Sequence, residues 1–176
     1  MLDTILIIAL ILCVICSAFF SGSENALSEC NKLRIKKEAE EGNKAAKRAQ
    51  NLIENYSKSI STILIGNNLV NIAASSFTTV LALRLFPNIP DAVTYATIII
   101  TIIILICGEI VPKILATEHA NSISKFISFP LRIFQLLFSP LLVVITKLID
   151  KTEHMWTPEE VEDSVNGEFE KQAIAD

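Results

Sequence analysis

The residues that invite attention are polar ones in stretches otherwise too apolar for them. Ser17 and Ser21 lie four residues apart at the end of a run, residues 5–20, that holds no charge. That spacing puts them on one face of a helix. Asn68, Asn71 and Ser75 follow an i, i+3, i+7 spacing and share a face of a second apolar segment. In a third, Glu109 follows Gly108 and stands three residues before Pro112. Proline has no N–H, so in an α-helical register the bond back to the Gly108 carbonyl cannot form. That carbonyl is then free beside a carboxylate. An ionisable group inside a membrane segment is a functional hypothesis by default. Loosened backbone survives at that depth only where it faces protein or a water-lined cavity, a common way to hold a cation.

The candidate donors are the hydroxyls of Ser17 and Ser21, an amide oxygen from Asn68 or Asn71, the Gly108 carbonyl and the Glu109 carboxylate. All are oxygens. Such a set suits a hard cation, Mg²⁺ first, with Ca²⁺ and Na⁺ as alternatives, over zinc or copper. One carboxylate leaves a divalent ion under-neutralised, which favours release over storage. The plainer reading is that Ser and Asn at helical spacing join helices by hydrogen bonds. It fits Asn67, Ser75 and Ser76 better than it fits Glu109. Glu24 and Asn25 are expected to reach the aqueous end of the first helix, or to pair there.

The elements that must hold these residues are legible in the composition. Of 176 residues, 51% are hydrophobic and 19% charged, and mean hydropathy is +0.49. The apolar residues come in long blocks, which excludes a disordered, collagen-like or disulfide-stapled chain and argues against a soluble enzyme. Residues 1–149 carry 13 Lys/Arg against 10 Asp/Glu, whereas residues 150–176 carry 2 against 9. A membrane-embedded body with an acidic tail fits that split. Cys13, Cys16, Cys30 and Cys107 match no zinc pattern; Cys13 and Cys16, inside the first apolar run, read as small core residues.

Residues 4–29 predict a first transmembrane helix, since the extended span of about 23 residues crosses the hydrocarbon core and no basic n-region marks a signal peptide. Residues 31–58 are basic and split by Gly42 and Asn43, which predicts a helical hairpin at the cytoplasmic lipid surface. Residues 59–86 and 92–107, the latter running on to Lys113, predict an antiparallel pair of spans joined at Pro87–Asp91. Residues 122–149 are apolar but interrupted by Lys125, Arg132, Gln135 and Lys147. Pro130 and Pro140 are expected to break or kink them into a helix pair at the inner interface. Thr157 and Pro158 look like the start of an acidic helix. With the basic hairpin inside, three crossings put the N-terminus outside and the acidic tail in the cytoplasm.

Three motifs then carry a resemblance. Phe19-Phe20-Ser21-Gly22-Ser23-Glu24-Asn25-Ala26-Leu27 is similar to the FFSGSETAL signature of the DUF21 transmembrane domain, with Asn25 where Thr is usual. Ile65-Gly66-Asn67-Asn68-Leu69-Val70-Asn71 and Gly108-Glu109-Ile110-Val111-Pro112-Lys113 resemble its second and third signatures. This is the membrane domain of the CorC/CorB/CNNM magnesium transporters, and the resemblance covers residues 1 to about 150. It implies an all-α integral membrane fold of the DUF21 type, with three transmembrane helices plus basic and kinked juxtamembrane helices. It implies a homodimer in the plasma membrane and Mg²⁺ export coupled to Na⁺ entry, with the ion among Ser17, Ser21, an Asn of the second span, Gly108 and Glu109. The domain expected is residues 1–150. Residues 151–176 would begin a cytosolic acidic helical region, which in the family leads to an ATP-binding CBS pair. The reading is of a transporter without covalent chemistry, in contact with lipid and not with nucleic acid. The rival is a sensor that binds Mg²⁺ without moving it.

Overall fold

The computed structural model describes residues 1–143, which hold helices and no strand. Helix α1 (Leu2–Glu29) forms because its apolar run contains no proline. It ends where Cys30 turns extended, with φ −67° and ψ 146°. Asn31 then opens α2 (Lys32–Glu40) by accepting the Arg34 N–H at 3.0 Å. Gly42 adopts φ +95°, a conformation that suits glycine, and reverses the chain. The Asn43 amide oxygen accepts the N–H groups of Ala45 and Ala46 at 2.9 and 3.2 Å and starts α3 (Lys44–Glu54). The basic hairpin thus divides at the expected two residues.

Helix α4 (Tyr56–Leu85) returns across the bundle, and a turn at residues 86–91 leads to α5 (Ala92–Ile103). The next seven residues, Ile104–Ile110, form a π-helical segment, and α6 (Val111–Glu118) continues from it. Three stretches are long and apolar enough to cross a membrane: Leu2–Glu29, Tyr56–Leu85 and Ala92–Glu118. At 27–30 residues each they are about 40–45 Å long, more than the hydrocarbon core requires.

Helix α7 (Ala120–Leu137) carries Lys125 and Arg132 and follows the third span after a turn at His119. Pro130 lies inside it and does not end it, so of the break or kink expected there the break does not occur. The missing N–H costs one bond, to the carbonyl four residues back, while Ile127, Ser128 and Leu131 are buried on both sides of it and hold the helix in place. The interruption falls instead at Phe138, two residues before Pro140. The first compact unit spans Met1–Phe138 and a second begins at Ser139, of which residues 139–143 are described and helical. The acidic region at 151–176, the helix start at Thr157 and Lys147 lie outside the described residues.

Helix α1 is the central post. Its C-terminal half packs Phe20, Ala26 and Leu27 against Leu52, Ile63, Ala116, Ile127 and Leu131. Phe20 meets Phe134 edge-on at 5.0 Å between ring centroids. The buried Ser59 hydroxyl donates to the Leu52 carbonyl at 2.8 Å and accepts from Gln135 at 3.0 Å, tying α3, α4 and α7 together. Ion pairs close both ends. Arg84 meets Asp3 at 2.6 Å at one end, and Lys113 meets Glu24 at 3.2 Å toward the other. Glu24 and Asn25 do pair there: the Asn25 amide donates to the Lys113 carbonyl and the Thr117 hydroxyl. Lys125 at 2.6 Å, then Arg34, hold the Glu38 carboxyl below the usual carboxylate range.

Candidate cation site in the bundle interior

Glycine sets how closely the spans approach. A Cβ placed on Gly108 would lie 2.9 Å from the Ser17 Oγ and 3.1 Å from its Cβ. Only glycine lets the third span come this near α1. A Cβ on Gly66 would lie 2.3 Å from the Phe20 ring, so α4 meets α1 in the same way. Ser17 and Phe20, the side chains at the two contacts, are buried, and so is Ser21.

Ser17 sits at the centre of the polar group. Its hydroxyl lies 3.1 Å from the Asn67 amide oxygen and 3.2 Å from that of Asn71. One hydroxyl has one proton, so two acceptors share it and lone-pair capacity is left over. Ser21, one turn along the same face, is also buried, and its hydroxyl has no hydrogen-bond partner among the described residues. Ser23 by contrast bonds back to the Phe19 carbonyl at 2.7 Å. An unpaired buried hydroxyl is costly unless something else meets it.

The third span supplies the remaining oxygens. The Val111 N–H bonds to the Ile106 carbonyl, five residues back, and the Ile110 carbonyl accepts the first bond of α6. Between those bonds lie the carbonyls of Cys107, Gly108 and Glu109. The only residues placed to serve them are Pro112, which has no N–H, and Lys113. The carbonyl that a residue-112 N–H would serve is therefore left without that donor. In an α register the gap would fall at Gly108; here the register is the wider π. Such π turns recur at functional sites.

Glu109 is half-buried and lines a cavity of about 220 Å³ with Asn71, Ser75, Thr101 and the apolar Ile100, Ile104 and Leu105. The Thr101 hydroxyl is committed to the Thr97 carbonyl at 2.7 Å. Lys113, one turn on, is engaged by Glu24. Glu109 has no ion-pair partner among the described residues, and a carboxylate in that setting favours an incoming cation. Asn71 joins the two halves of the site, since it touches Ser17 and also lines the cavity.

Of the residues singled out in the sequence, Ser17, Asn71 and Gly108 come together, Glu109 faces the adjoining cavity and Ser21 lies buried one turn away. Asn68 does not join them; it is exposed, about 100° around α4 from Asn67. Asn67, expected to join helices, does so: its amide oxygen accepts from the Ser17 hydroxyl and ties α4 to α1, which also places it beside the candidate donors. The signal was present: residues 67, 71 and 75 are spaced by four and make as good a stripe as 68, 71 and 75. Among the described residues no three His, Cys, Asp or Glu side chains gather as a metal site. Every donor here is an oxygen, which fits a hard cation. Cys13 and Cys16 are half-buried, Cys30 is buried and Cys107 exposed, and all four are free thiols.

The family model described as Cyclin M transmembrane N-terminal domain matches residues 7–173. A UPF0053 protein of Haemophilus influenzae is 44% identical over 136 residues, covering 77% of this chain and 32% of that protein. A UPF0053 inner membrane protein of Escherichia coli is 38% identical over 125 residues, covering 71% of this chain and 29% of its own length. A chloroplastic DUF21 domain-containing protein of Arabidopsis thaliana is 32% identical over 137 residues, covering 75% and 20%. The chain spans about a third of the length of the first two.

Proposed function

The chain belongs to the cyclin M transmembrane family, and on that premise we propose that it carries Mg²⁺ across the membrane between α1, α4 and the π-helical turn. The observation that carries the proposal is Glu109. It is a half-buried carboxylate without a counter-ion, in a cavity shared with Asn71 and next to a backbone turn with a spare carbonyl. Glu109 supplies the charge. Asn71 and Asn67 supply amide oxygens, Ser17 and Ser21 hydroxyls, and the Gly108 turn a carbonyl. Binding replaces part of the hydration shell of the ion by fixed dipoles. The single carboxylate keeps the ion from being held too tightly to leave.

Transport by alternating access needs an element with two arrangements, and the π turn is the candidate. A return to the α register would turn Glu109 relative to Asn71 and re-aim the free carbonyl. Export driven by Na⁺ entry, through a homodimer joined to a cytosolic CBS pair, completes the proposal. The N-terminus lies outside the cell and the acidic tail in the cytoplasm. A second copy has room to bind, because α5 buries none of its residues within one chain.

The test is Mg²⁺ flux from proteoliposomes holding the purified chain, alongside saturable Mg²⁺ binding in detergent. The parent is expected to show both and Glu109→Gln neither. Binding without flux in the parent makes the protein a sensor. Unchanged binding and flux in Glu109→Gln refutes the site.

A further inference from the structure

A second cavity, about 450 Å³, lies between α3 and α7 at the end of the bundle where the basic hairpin enters α4. Lys44, Lys47, Arg48 and Arg132 line it together with Gln50, Asn51 and Glu54. Four cationic side chains thus face one carboxylate, and Glu54 already accepts a hydrogen bond from Gln50 at 2.7 Å. None of the four cations has an ion-pair partner among the described residues. The Arg48 Nε is sealed from solvent and has no hydrogen-bond partner among the described residues. A sealed guanidinium N–H without an acceptor asks for an anion.

The surface beside this cavity is as apolar as the cavity is charged. Helix α7 exposes Phe126, Phe129, Ile133, Leu136 and Leu137, with Phe126 and Leu136 each 78% exposed. Their spacing makes one helix face. Arg48 links the two regions, since its guanidinium lies 6.0 Å from the centre of the Phe129 ring. Arg132 follows Phe129 by three residues and immediately precedes Ile133. Charged cavity and apolar strip are therefore continuous. A soluble phosphate compound would use the first and leave the second in water.

We propose that this is a binding site for one anionic phospholipid, its phosphate held by Arg48 and Arg132 with Lys44 and Lys47, and its acyl chains laid along the exposed face of α7. The site is built from α3 and α7, apart from the residues proposed to carry the ion, so it does not depend on the transport reading. The lipid would pin α7 at the interface and fill the gap between α3 and α7.

The experiment reconstitutes the chain in vesicles of equal phosphatidylcholine and phosphatidylglycerol and counts retained lipid by native mass spectrometry. The parent is expected to retain one phosphatidylglycerol per chain in preference to phosphatidylcholine. Arg48→Gln and Arg132→Gln are each expected to weaken retention about fivefold, the scale for one cation at an anionic surface. Lys36→Gln/Lys37→Gln, which removes two exposed cations of α2 outside the cavity, is expected to leave retention unchanged. Equal loss from the α2 pair means diffuse attraction and overturns the site, as does full retention by Arg132→Gln. Saturable binding of inorganic phosphate that displaces the lipid overturns the lipid as the ligand. If Arg48→Gln lowers the thermal midpoint, the exposed Arg132 decides the outcome alone.

Discussion

Replacing Gly108 by alanine tests the closest approach in the bundle. The new Cβ would stand 2.9 Å from the Ser17 Oγ and 3.1 Å from the Ser17 Cβ, with Ile104 at 3.4 Å. The serine must give by several tenths of an ångström, yet its hydroxyl is already at 3.1 and 3.2 Å from two asparagines. Overpacking of this kind costs about 1–3 kcal/mol. A strained side-chain hydrogen bond inside a membrane bundle adds about 0.6 kcal/mol. Alanine returns about 1 kcal/mol through its better helix propensity. The net expectation is a loss of about 0.6–2.6 kcal/mol by these figures. The assay is unfolding in mixed micelles followed by circular dichroism, with Gly22→Ala as the reference. At Gly22 the nearest atom to an added Cβ is the Pro112 carbonyl oxygen at 3.5 Å, an ordinary contact, so that variant should be neutral or slightly stabilised. Adding Ser17→Ala to Gly108→Ala removes the nearer clash and should recover part of the stability while Mg²⁺ flux stays low. If Gly108→Ala is as stable as Gly22→Ala and transports normally, the close approach does not hold the site together.

Two further outcomes follow from packing and charge. Gly66→Ala would put a methyl within 2.3–2.7 Å of three atoms of the Phe20 ring, itself 1% exposed and packed on Phe134, so it should destabilise by more than Gly108→Ala. Unfolding of Gly66→Ala with and without Phe20→Leu checks this, since the smaller side chain should restore much of the loss. Glu38, held below its ordinary range by Lys125 and Arg34, contributes stability that is present above about pH 4.3, the unfolded glutamate value, and lost as pH falls through its lower folded value. The midpoints of parent and Glu38→Gln should differ at pH 6 and converge in acid; a gap that persists at pH 2 would show that charge is not the cause.

How far the architecture could be read without coordinates differs by element. The three spans follow from block hydrophobicity, and the hairpin follows from Gly42 and Asn43, because those signals are local. Pro130 left two outcomes open, a break or a kink, and the burial of Ile127, Ser128 and Leu131 around it excludes the break. Arg132 looked out of place in an apolar segment. It is accommodated by the cavity it shares with Lys44, Lys47 and Arg48, residues some 85 positions earlier in the chain.

The candidate site divides the same way. Residue types alone made a hard cation the expected ligand, because the hydroxyls, amide oxygens, carboxylate and free carbonyl that could meet a metal there all offer oxygen. They also determined that Pro112 must leave a backbone acceptor unserved, because a missing N–H is covalent and owes nothing to context. Which asparagine faces Ser17 was decided by how α4 rotates against α1, and that rotation is set where Gly66 admits the Phe20 ring. The π turn, too, is visible only in the tertiary structure, where it coincides with the close approach of Gly108 to Ser17. Helical periodicity orders residues around one axis; only contact with a neighbouring helix selects the side of that axis that is used.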